Sequence, residues 1–344
     1  MKAALLVPAP FDTVSGGYLY DRRLVEGLRG LGHAVRVVEL IGQFPFPDAV
    51  AQASAEAAWA GLAPGEVPVI DGLALPAFHR IAPELAARSA VALIHHPTSL
   101  EHGPHQEALA TIERVLFAAC GRLIATSAYT ARGLPPLGAE PSRIGVVEPG
   151  TDPASRATGS GGPGARILSV GSLIPRKGHD VLLRALARLT DLDWILRIAG
   201  PAADPVHADG LAALAEELGL SARVTFLGPV TDKALEAEYA QADLFALATW
   251  FEGFGMAAAE AQARGLPLAL CTGGAIAEVV GPGAAILAAP GDFNSLSRGM
   301  RRPLLDLGLR AQMAEASWQA GQTLPRWEDR ATRFAEELEA AGHG

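Results

Sequence analysis

The sequence predicts an α/β protein of two Rossmann-like domains, in each of which helices cover a parallel β-sheet. Short β-rich runs alternate with helical segments along nearly the whole chain, which is the pattern of such a sheet. One stretch rich in Gly, Ser and Pro, residues 151–165, interrupts the alternation. At 344 residues the chain is too long for one ordinary core, so we expect one domain on either side of that stretch.

The first domain is expected to span residues 1–152. It opens with the strand "AALLV", a helix through "YLYDRRLVEGLRGLG" and the strand "AVRVVEL". Later apolar runs, "VPVI", "AVALI", "RLIAT" and "IGVVE", predict four further strands, and alanine-rich helical stretches separate several of them.

A linker is expected at residues 153–165, and the second domain at residues 166–325, where the alternation restarts. Its predicted strands are "RILSV", "WILRIAG", "RVTFLG", "DLFAL", "LPLALC" and "AAILA". A final helix is expected from about residue 326 to residue 341. Ligands bind at the carboxyl ends of the strands in this class, so two such sheets imply a ligand cleft between the domains.

Composition and charge exclude several classes of function. The net charge of −9 and the pI near 5.5 argue against nucleic acid as the main partner, because phosphate backbones select basic surfaces. Cys120 and Cys271 lie far apart in apolar contexts, which favours buried free thiols over a disulfide. No apolar run approaches the length of a membrane span, and the first residues read as a strand rather than a signal peptide. We therefore expect a cytoplasmic enzyme.

A strand, a loop and an amphipathic helix follow one another in "VGSLIPRKGHDVLLRAL". Arg176 and Lys177 stand just ahead of that helix, whose N-terminus has unsatisfied N–H groups and the positive end of the helix dipole. Two cations there are unfavourable for the helix itself, so a bound phosphate or diphosphate explains them better than a solvated surface does. Gly171, in the loop, is assigned to the same site.

"SGGYLYDRRL" repeats this arrangement in the first half, because Ser15, Gly16 and Gly17 separate the first strand from the first helix. Glycines there let the backbone approach a ligand and direct N–H groups at it. A tight turn from a strand to a helix also requires glycine, so this motif gains weight only opposite another phosphate site.

Histidines cluster after the strand "AVALI", in "ALIHHPTSLEHGPH". His95 and His96 are expected where the strand ends, with His102 and His105 nearby in the sequence. No cysteine and no tight carboxylate–histidine spacing accompanies them, so we expect no metal site. A histidine that hydrogen-bonds a polar substrate at the strand end is the favoured interpretation.

"DLFALATWFEGFGMAAAEAQARGLP" predicts a strand, a loop and a helix, with two glutamates in an otherwise apolar segment. Glu252 falls in the loop, and Glu260 is expected two turns into the helix, roughly on the same side. Gly253 and Gly255 leave room for a ligand at the helix start. Ionised carboxylates accept several hydrogen bonds, so hydroxyl groups of a sugar and a ribose would satisfy both glutamates there.

These motifs resemble those of the retaining, GT-B-fold glycosyltransferases of family 4, the group 1 type. The resemblance spans nearly the whole chain and is most specific in the C-terminal half, where Glu252 and Glu260 match a signature of two glutamates separated by seven residues. "GSLIPRKGHDVLLRA", "RVTFLGPVTDKAL" and "GLPLALCTGGAIAE" match the flanking segments in order and spacing. The resemblance implies the GT-B architecture, two Rossmann-like domains facing each other across a cleft. It also implies that a C-terminal helix at about residues 326–344 completes the acceptor-binding first domain.

The resemblance further implies a role for each candidate residue. Arg176 and Lys177 would hold the donor diphosphate, which Gly17 approaches from the other domain. Glu260 would bind the ribose hydroxyls, and Glu252 would hold the transferred sugar. His95 matches a family histidine near that sugar. Because His96 adjoins it, the match leaves open which of the two histidines faces the donor. The implied catalytic set is Arg176, Lys177, Glu252 and His95, and the donor-binding set is Gly16, Gly17, Gly171, Val230 (against the base), Gly253, Phe254, Gly255, Met256 and Glu260.

The implied reaction is transfer of a sugar from a nucleoside diphosphate to an acceptor hydroxyl with anomeric retention. Arg176 and Lys177 would neutralise charge on the leaving diphosphate, which requires neither a metal nor another cofactor. Two alternatives stay open. A nucleotide-sugar epimerase of similar shape would turn over the donor without an acceptor, and a non-catalytic sugar-nucleotide binding protein would lack the paired cations.

The acceptor is the least determined partner. Its contacts are expected from the first domain, at about residues 11–20, 44–47 and 71–77. Residues 1–150 hold 11 basic and 14 acidic side chains and no lysine run, so a soluble small molecule or saccharide is favoured over a lipid and over contact with a membrane surface. UDP is favoured as the donor nucleotide on family frequency alone, and the oligomeric state is left open.

Overall fold

The chain forms two compact units in a computed structural model that describes residues 1–100 and 106–342. Unit 1 contains Met1–Gly150 together with the chain from Pro325 onward, and unit 2 contains Thr151–Leu324. In the part of the chain that is described, no helix combines the length and the apolar composition needed to cross a bilayer.

Unit 1 contains six parallel strands in the spatial order β2-β1-β3-β4-β5-β6. The strands are β1 (Lys2–Pro8), β2 (Ala34–Leu40), β3 (Glu66–Asp71), β4 (Val91–Ile94), β5 (Arg122–Ala125) and β6 (Ile144–Val146). The α-helices are α1 (Gly16–Gly30), α2 (Ala49–Ala60), α3 (Ala82–Ala87), α4 (Gln106–Ala119) and α5 (Ala128–Gly133), with 3-10 helices at Leu75–Ile81, Thr98–Leu100, Pro135–Leu137 and Pro141–Arg143. The strand order reverses between β1 and β3, and ligands of such sheets bind at the reversal.

Unit 2 also contains six parallel strands, in the order β12-β11-β10-β7-β8-β9. They are β7 (Ala165–Val170), β8 (Trp194–Ala199), β9 (Val224–Gly228), β10 (Leu244–Leu247), β11 (Leu268–Cys271) and β12 (Ala285–Ala288). The α-helices are α6 (His179–Leu186), α7 (Pro205–Glu217), α8 (Asp232–Gln241), α9 (Met256–Ala263), α10 (Ile276–Val279), α11 (Phe293–Leu305) and α12 (Leu307–Gly321), with 3-10 helices at Pro175–Lys177 and Ala187–Leu189. This is the Rossmann order, and its reversal lies between β7 and β10.

The last helix, α13 (Trp327–Gly342), packs against α1 of unit 1. Gly27 and Ala331 meet at the crossing, where a Cβ on the glycine would overlap the alanine side chain. Trp327 packs edge to face against Tyr20, with ring centroids 5.8 Å apart. The predicted final helix is therefore confirmed.

The predicted strands are all present, and so is the predicted α/β class of two Rossmann-like units. Strands β4, β10 and β11 are buried along their whole length, because helices cover both faces of a parallel sheet. The stretch that precedes β7 lies along unit 2, where Ala157 N–H donates to the Arg264 carbonyl oxygen and Thr158 N–H to that of Ala240. Both cysteines are buried free thiols, as predicted.

Candidate active site

The strand reversal of unit 2 brings together the loops that follow β7 and β10. Arg176 and Lys177 end the 3-10 helix after β7, and α6 begins two residues later, so both cations precede the helix as predicted. The Trp250 N–H, in the loop after β10, donates to the Arg176 carbonyl oxygen at 2.8 Å and so joins the two loops. Gly178 has a φ of 63°, and a Cβ there would overlap a backbone oxygen of the β10 loop. Only glycine fits this close approach.

An ion pair joins the half-buried Lys177 to the buried Glu252. Lys177 Nζ lies 2.6 Å from Glu252 Oε1, and the Thr249 hydroxyl lies 3.2 Å from the same oxygen. Arg176 Nη1 lies 3.9 Å from Glu252 Oε2 and donates to the Phe251 carbonyl oxygen at 2.8 Å. Burial raises the pKa of Glu252, but the two cations and the hydrogen bonds from Lys177 and Thr249 outweigh it and hold the pKa below its ordinary value. Glu252 is therefore ionised.

Gly171 makes room for the side chain of Lys177. A Cβ at position 171 would lie 3.3 Å from both Cδ and Cε of Lys177, which is tighter than an ordinary van der Waals contact. The lysine stem thus runs across the glycine on its way to Glu252. Gly171, predicted as a donor-binding residue, therefore lies next to the side chain of Lys177, to which diphosphate binding was assigned.

Backbone hydrogen bonds fix the loop that leads into α9. The Glu252 N–H donates to a carbonyl oxygen in residues 273–275, and its own carbonyl oxygen accepts an N–H from the same segment. Gly255 caps α9 with a φ of 106°, and a Cβ there would lie 2.6 Å from an isoleucine methyl group, so glycine is required. Gly253 and Phe254 complete the turn, and α9 begins at Met256. The first N–H groups of that helix have no intrahelical acceptor.

Glu260 belongs to a second network, separate from the Lys177 ion pair. It is the fifth residue of α9, so it lies little more than one turn into the helix, not the two turns predicted, because the helix begins only after Gly255. The buried Tyr239 hydroxyl donates to Glu260 Oε2 at 3.0 Å. The guanidinium of Arg264 lies 4.5 Å from the centre of the Tyr239 ring. Burial and the Glu260 charge raise the pKa of Tyr239, so a neutral hydroxyl orients this carboxylate.

Val230 lies half-buried in the loop between β9 and α8, at the carboxyl end of the sheet. The loops after β7 and β10 emerge at the same end of this parallel sheet. The predicted donor-binding residues of unit 2 therefore lie in the loops that follow its strands or, as Glu260 does, in a helix into which such a loop leads.

In unit 1, His95 follows β4 and lies between two buried carboxylates. Its Nε2 is 3.1 Å from Asp21 Oδ1, on α1, and 3.2 Å from Asp71 Oδ2, at the end of β3. Burial lowers the pKa of His95, but Asp21 and Asp71 raise it more strongly, to about 10. Burial raises the pKa of Asp21 to about 6, against the opposing charge of His95. The three side chains form a charge cluster at the strand reversal of unit 1.

The first helix of unit 1 begins earlier than predicted. Ser15 is its N-cap, so Gly16 and Gly17 form the first helical turn and do not precede it. The serine hydroxyl accepts the Tyr18 N–H, which makes the turn part of the helix. A Cβ on Gly17 would lie 3.4 Å from the His95 ring, so this glycine faces the charge cluster.

One ligand atom each from Asp21, Asp71 and His95 lies within 4.8 Å of the other two, a spacing that a metal ion could bridge. The carboxylates come from other elements, which is why the sequence spacing around His95 gave no sign of them. His102 and His105 lie outside the described residues. The expectation that no metal is needed stays a prediction.

Three residues of these networks were not predicted, and a fourth, Asp71, was predicted only as the start of the acceptor range 71–77. Thr249 stands two residues after the end of β10, and that position was the available signal for it. Asp21 and Tyr239 lie inside helices, where the local sequence gives no such signal. Their roles arise only from tertiary packing.

Comparisons with known proteins agree with this architecture. Residues 152–319 match the family model described as "Glycosyl transferases group 1". A D-inositol 3-phosphate glycosyltransferase from Nocardia farcinica is 37% identical over 232 residues, which are 60% of this chain and 51% of that protein. The chain thus spans about half the length of this relative.

Solved structures share the fold over the whole chain. Sucrose-phosphate synthase from Thermosynechococcus elongatus has a TM-score of 0.84 at 18% identity and covers 100% of both chains. HepE from Anabaena, in complex with UDP-glucose, has a TM-score of 0.80 at 19% identity and covers 99% of this chain and 100% of its own. The fold is therefore the GT-B fold.

More particularly, residues 152–319, within unit 2, match the group 1 glycosyl transferases. The family match covers the loops after β7 and β10, and both Glu252 and Glu260 fall inside it. The predicted GT-B fold class is confirmed, and the predicted resemblance to the group 1 glycosyl transferases is confirmed for residues 152–319.

Proposed function

We propose that the chain is a retaining glycosyltransferase that moves a sugar from a UDP-sugar to a hydroxyl group of a soluble small-molecule or saccharide acceptor. The observation that carries the proposal is the pair Arg176 and Lys177 at the strand reversal of unit 2, next to Glu252 and the N-terminus of α9. Paired cations beside free N–H groups suit a diphosphate. The UDP-glucose bound by HepE and the D-inositol 3-phosphate named for the Nocardia relative add support for a UDP-sugar and a small acceptor.

In this proposal unit 2 binds the donor. Lys177 and Arg176 hold the diphosphate and stabilise the charge that develops on it as it leaves, an effect that is strong in a partly buried site. Glu260, oriented by a neutral hydroxyl, accepts hydrogen bonds from the ribose, and Val230 lies against the base. Glu252 accepts hydrogen bonds from the transferred sugar. The first turn of α9 offers its N–H groups to phosphate or sugar oxygens.

The proposed mechanism needs no metal and no nucleophile from the protein. The Glu252 carboxylate is already engaged by Lys177 and Thr249, so hydroxyl binding suits it better than attack on the sugar. Retention would follow if the acceptor attacks the face from which the diphosphate leaves, with the donor's own phosphate taking the acceptor proton. Unit 1 would bind the acceptor, and the first turn of α1 and His95 would contact substrate oxygens.

The test begins with the reaction itself. UDP-sugars are incubated with the purified chain and a panel of polyol, phosphorylated polyol and saccharide acceptors, and products are identified by mass spectrometry and by NMR of the anomeric linkage. We expect a glycoside of retained configuration that forms only when donor and acceptor are both present. Conversion of the donor to an epimer without any acceptor would instead support the epimerase alternative.

Donor kinetics then test the roles of the two glutamates. Glu260→Ala should mainly raise the donor KM, because the ribose contact is the same in the ground and transition states. Glu252→Ala should mainly lower kcat, because the sugar changes geometry and charge as its bond breaks. Each loss is expected at about 1–3 kcal/mol, the size of one charged hydrogen bond. Reversed patterns would exchange the roles, and parent-like kinetics in both variants would remove the main support for the proposal.

A further inference from the structure

His95 presents a single nitrogen to two carboxylates at once. Its Nε2 lies 3.1 Å from Asp21 Oδ1 and 3.2 Å from Asp71 Oδ2, while the Thr126 hydroxyl donates to the His95 carbonyl oxygen. The ring packs edge to face against Tyr20, with centroids 5.3 Å apart. The histidine side chain is 20% exposed, whereas the two aspartate side chains are 1% and 6% exposed. The ring is therefore fixed in place and open to solvent at one edge.

This arrangement needs a positive charge on the ring. A bare Nε2 lone pair would face two negative oxygens, so Nε2 carries a proton, and a neutral ring would still leave two buried carboxylates without a counter-charge. Among the described residues, Asp21 Oδ2 has no hydrogen-bond partner, and Asp21 lines a cavity of about 20 Å³ whose other walls are apolar side chains such as Leu24 and Val69. The imidazolium is the group that compensates the cluster.

We propose that Asp21 and Asp71 are positioning residues that hold His95 as an imidazolium, so that His95 acts on its substrate as a charged hydrogen-bond donor and not as a base. This inference rests on the proposed function, in which His95 contacts a substrate oxygen. That substrate oxygen would then accept a hydrogen bond from His95. His95 could not take the proton of the attacking hydroxyl group, so another base must take it. The donor phosphate is the base that the proposed mechanism already supplies.

The charged groups around His95 support a charge that persists across the neutral range. The carboxylates of Asp21 on α1 and Asp71 on β3 raise the pKa of His95 to about 10, despite the opposing effect of burial. The tyrosines of α1 that lie near the cluster, Tyr18 and Tyr20, have pKa values raised by burial and by Asp21, so both stay neutral. A group whose pKa lies above the assay range donates throughout that range.

The first test reads the protonation state without turnover. NMR of the full chain labelled with ¹⁵N in its nine histidines follows each imidazole from pH 6 to pH 8.5. His95→Gln identifies the His95 signals by their loss, and His96→Gln is the matched control. We expect His95 to keep imidazolium shifts throughout and to begin titrating within this range in Asp71→Asn. A neutral His95 ring at pH 7 in the parent overturns the proposal, and so does a shift of its signals on addition of Zn²⁺, which would make the cluster a metal site.

The second test reads the function of the charge. In Asp71→Asn, transfer activity should fall as pH rises above neutrality, because the imidazolium is lost. The activity of the parent should show no such fall over the same pH range. Asp21→Asn serves the same purpose if the first variant does not fold. His95→Gln should reduce kcat/KM at least tenfold. A parent-like kcat/KM in His95→Gln overturns the donor role, and a pH profile unchanged in folded Asp71→Asn overturns the positioning role. Failure of the proposed function would appear separately, as absence of transfer by the parent while the NMR result stands.

Discussion

Glu252 and the donor diphosphate would compete for one cation, Lys177. Lys177 Nζ lies 2.6 Å from Glu252 Oε1, and the side chains are only 16% and 9% exposed, so solvent screens the pair weakly. A diphosphate that binds Lys177 must therefore weaken this ion pair. Glutamine removes the competing charge and keeps the shape of the side chain. We expect UDP to bind Glu252→Gln more tightly than it binds the parent, while sugar transfer becomes slower.

The contact sets the size of this effect. A hydrogen bond to a charged group contributes about 1.5–3 kcal/mol, and the bond from Lys177 to glutamine should lie near the lower end of that range because only the lysine is then charged. Glutamine should thus hold Lys177 more weakly by about 1 kcal/mol or slightly more. At 1.4 kcal/mol per tenfold change, UDP should bind roughly fivefold to tenfold more tightly. Transfer should fall, because the charged contact to the sugar is lost in the same variant.

Isothermal titration calorimetry with UDP measures the affinity, and steady-state transfer is measured on the same preparations. Glu260→Gln is the matched control, since it removes the same charge from the same loop-and-helix segment. Its carboxylate accepts a hydrogen bond from the neutral Tyr239, so its loss should weaken UDP binding. The two glutamates should therefore change UDP affinity in opposite directions. If Glu252→Gln weakens UDP binding as Glu260→Gln does, Lys177 is not the cation for which the diphosphate competes.

Three further predictions follow from the same geometry. Lys177→Ala should lower transfer by about two orders of magnitude or more, since losing a charge-stabilising contact costs about 3 kcal/mol, whereas Lys233→Ala, at an exposed position of α8, should leave it unchanged in the same assay. Exhaustive treatment with EDTA should leave the transfer rate nearly unchanged, and a rate that collapses and returns with Mn²⁺ or Mg²⁺ would contradict metal independence. His179 is buried with both ring nitrogens unpartnered, and burial, with the Lys177 charge, lowers its pKa to about 3. The unfolded chain thus binds one more proton below pH 6.5, so stability should fall by about 1.4 kcal/mol per pH unit between pH 6.5 and pH 3. Calorimetric unfolding of His179→Leu should show a pH dependence shallower by this amount, and equal slopes would refute the assignment.

The strands were predictable because burial on both faces imposes a local pattern. The sequence of β10, "LFAL", and that of β11, "LALC", contain no polar residue, and such runs between helical segments indicate a parallel sheet without any tertiary knowledge. The spatial order of the strands, in contrast, cannot be predicted from a local pattern. No local pattern indicates that β10 lies beside β7, whose paired residues are 77 positions earlier in the chain.

That missing order explains what was missed at the site. Lys177 and Glu252 were each assigned a ligand from their own motifs, and the sequence gave no reason to pair them with each other. They meet because β7 and β10 are neighbours, so the loops at their carboxyl ends converge. Asp21 was harder to predict. A helical aspartate in "YLYDRR" is typical of an exposed charge, and only the packing of α1 beside β3 and β4 buries it.

The Lys177–Glu252 pair also gives a physical reason for a buried glutamate at the start of an alanine-rich helix. An unpaired carboxylate there would be strongly unfavourable, and so would an unpaired ammonium beside it. Each therefore keeps the other ionised and in place. If a diphosphate takes over Lys177, Glu252 loses its main partner and needs new hydrogen-bond donors, and the hydroxyl groups of a sugar attached to that diphosphate are such donors. Contact with the sugar would then depend on contact with the diphosphate, so a free sugar should bind this site poorly even at high concentration.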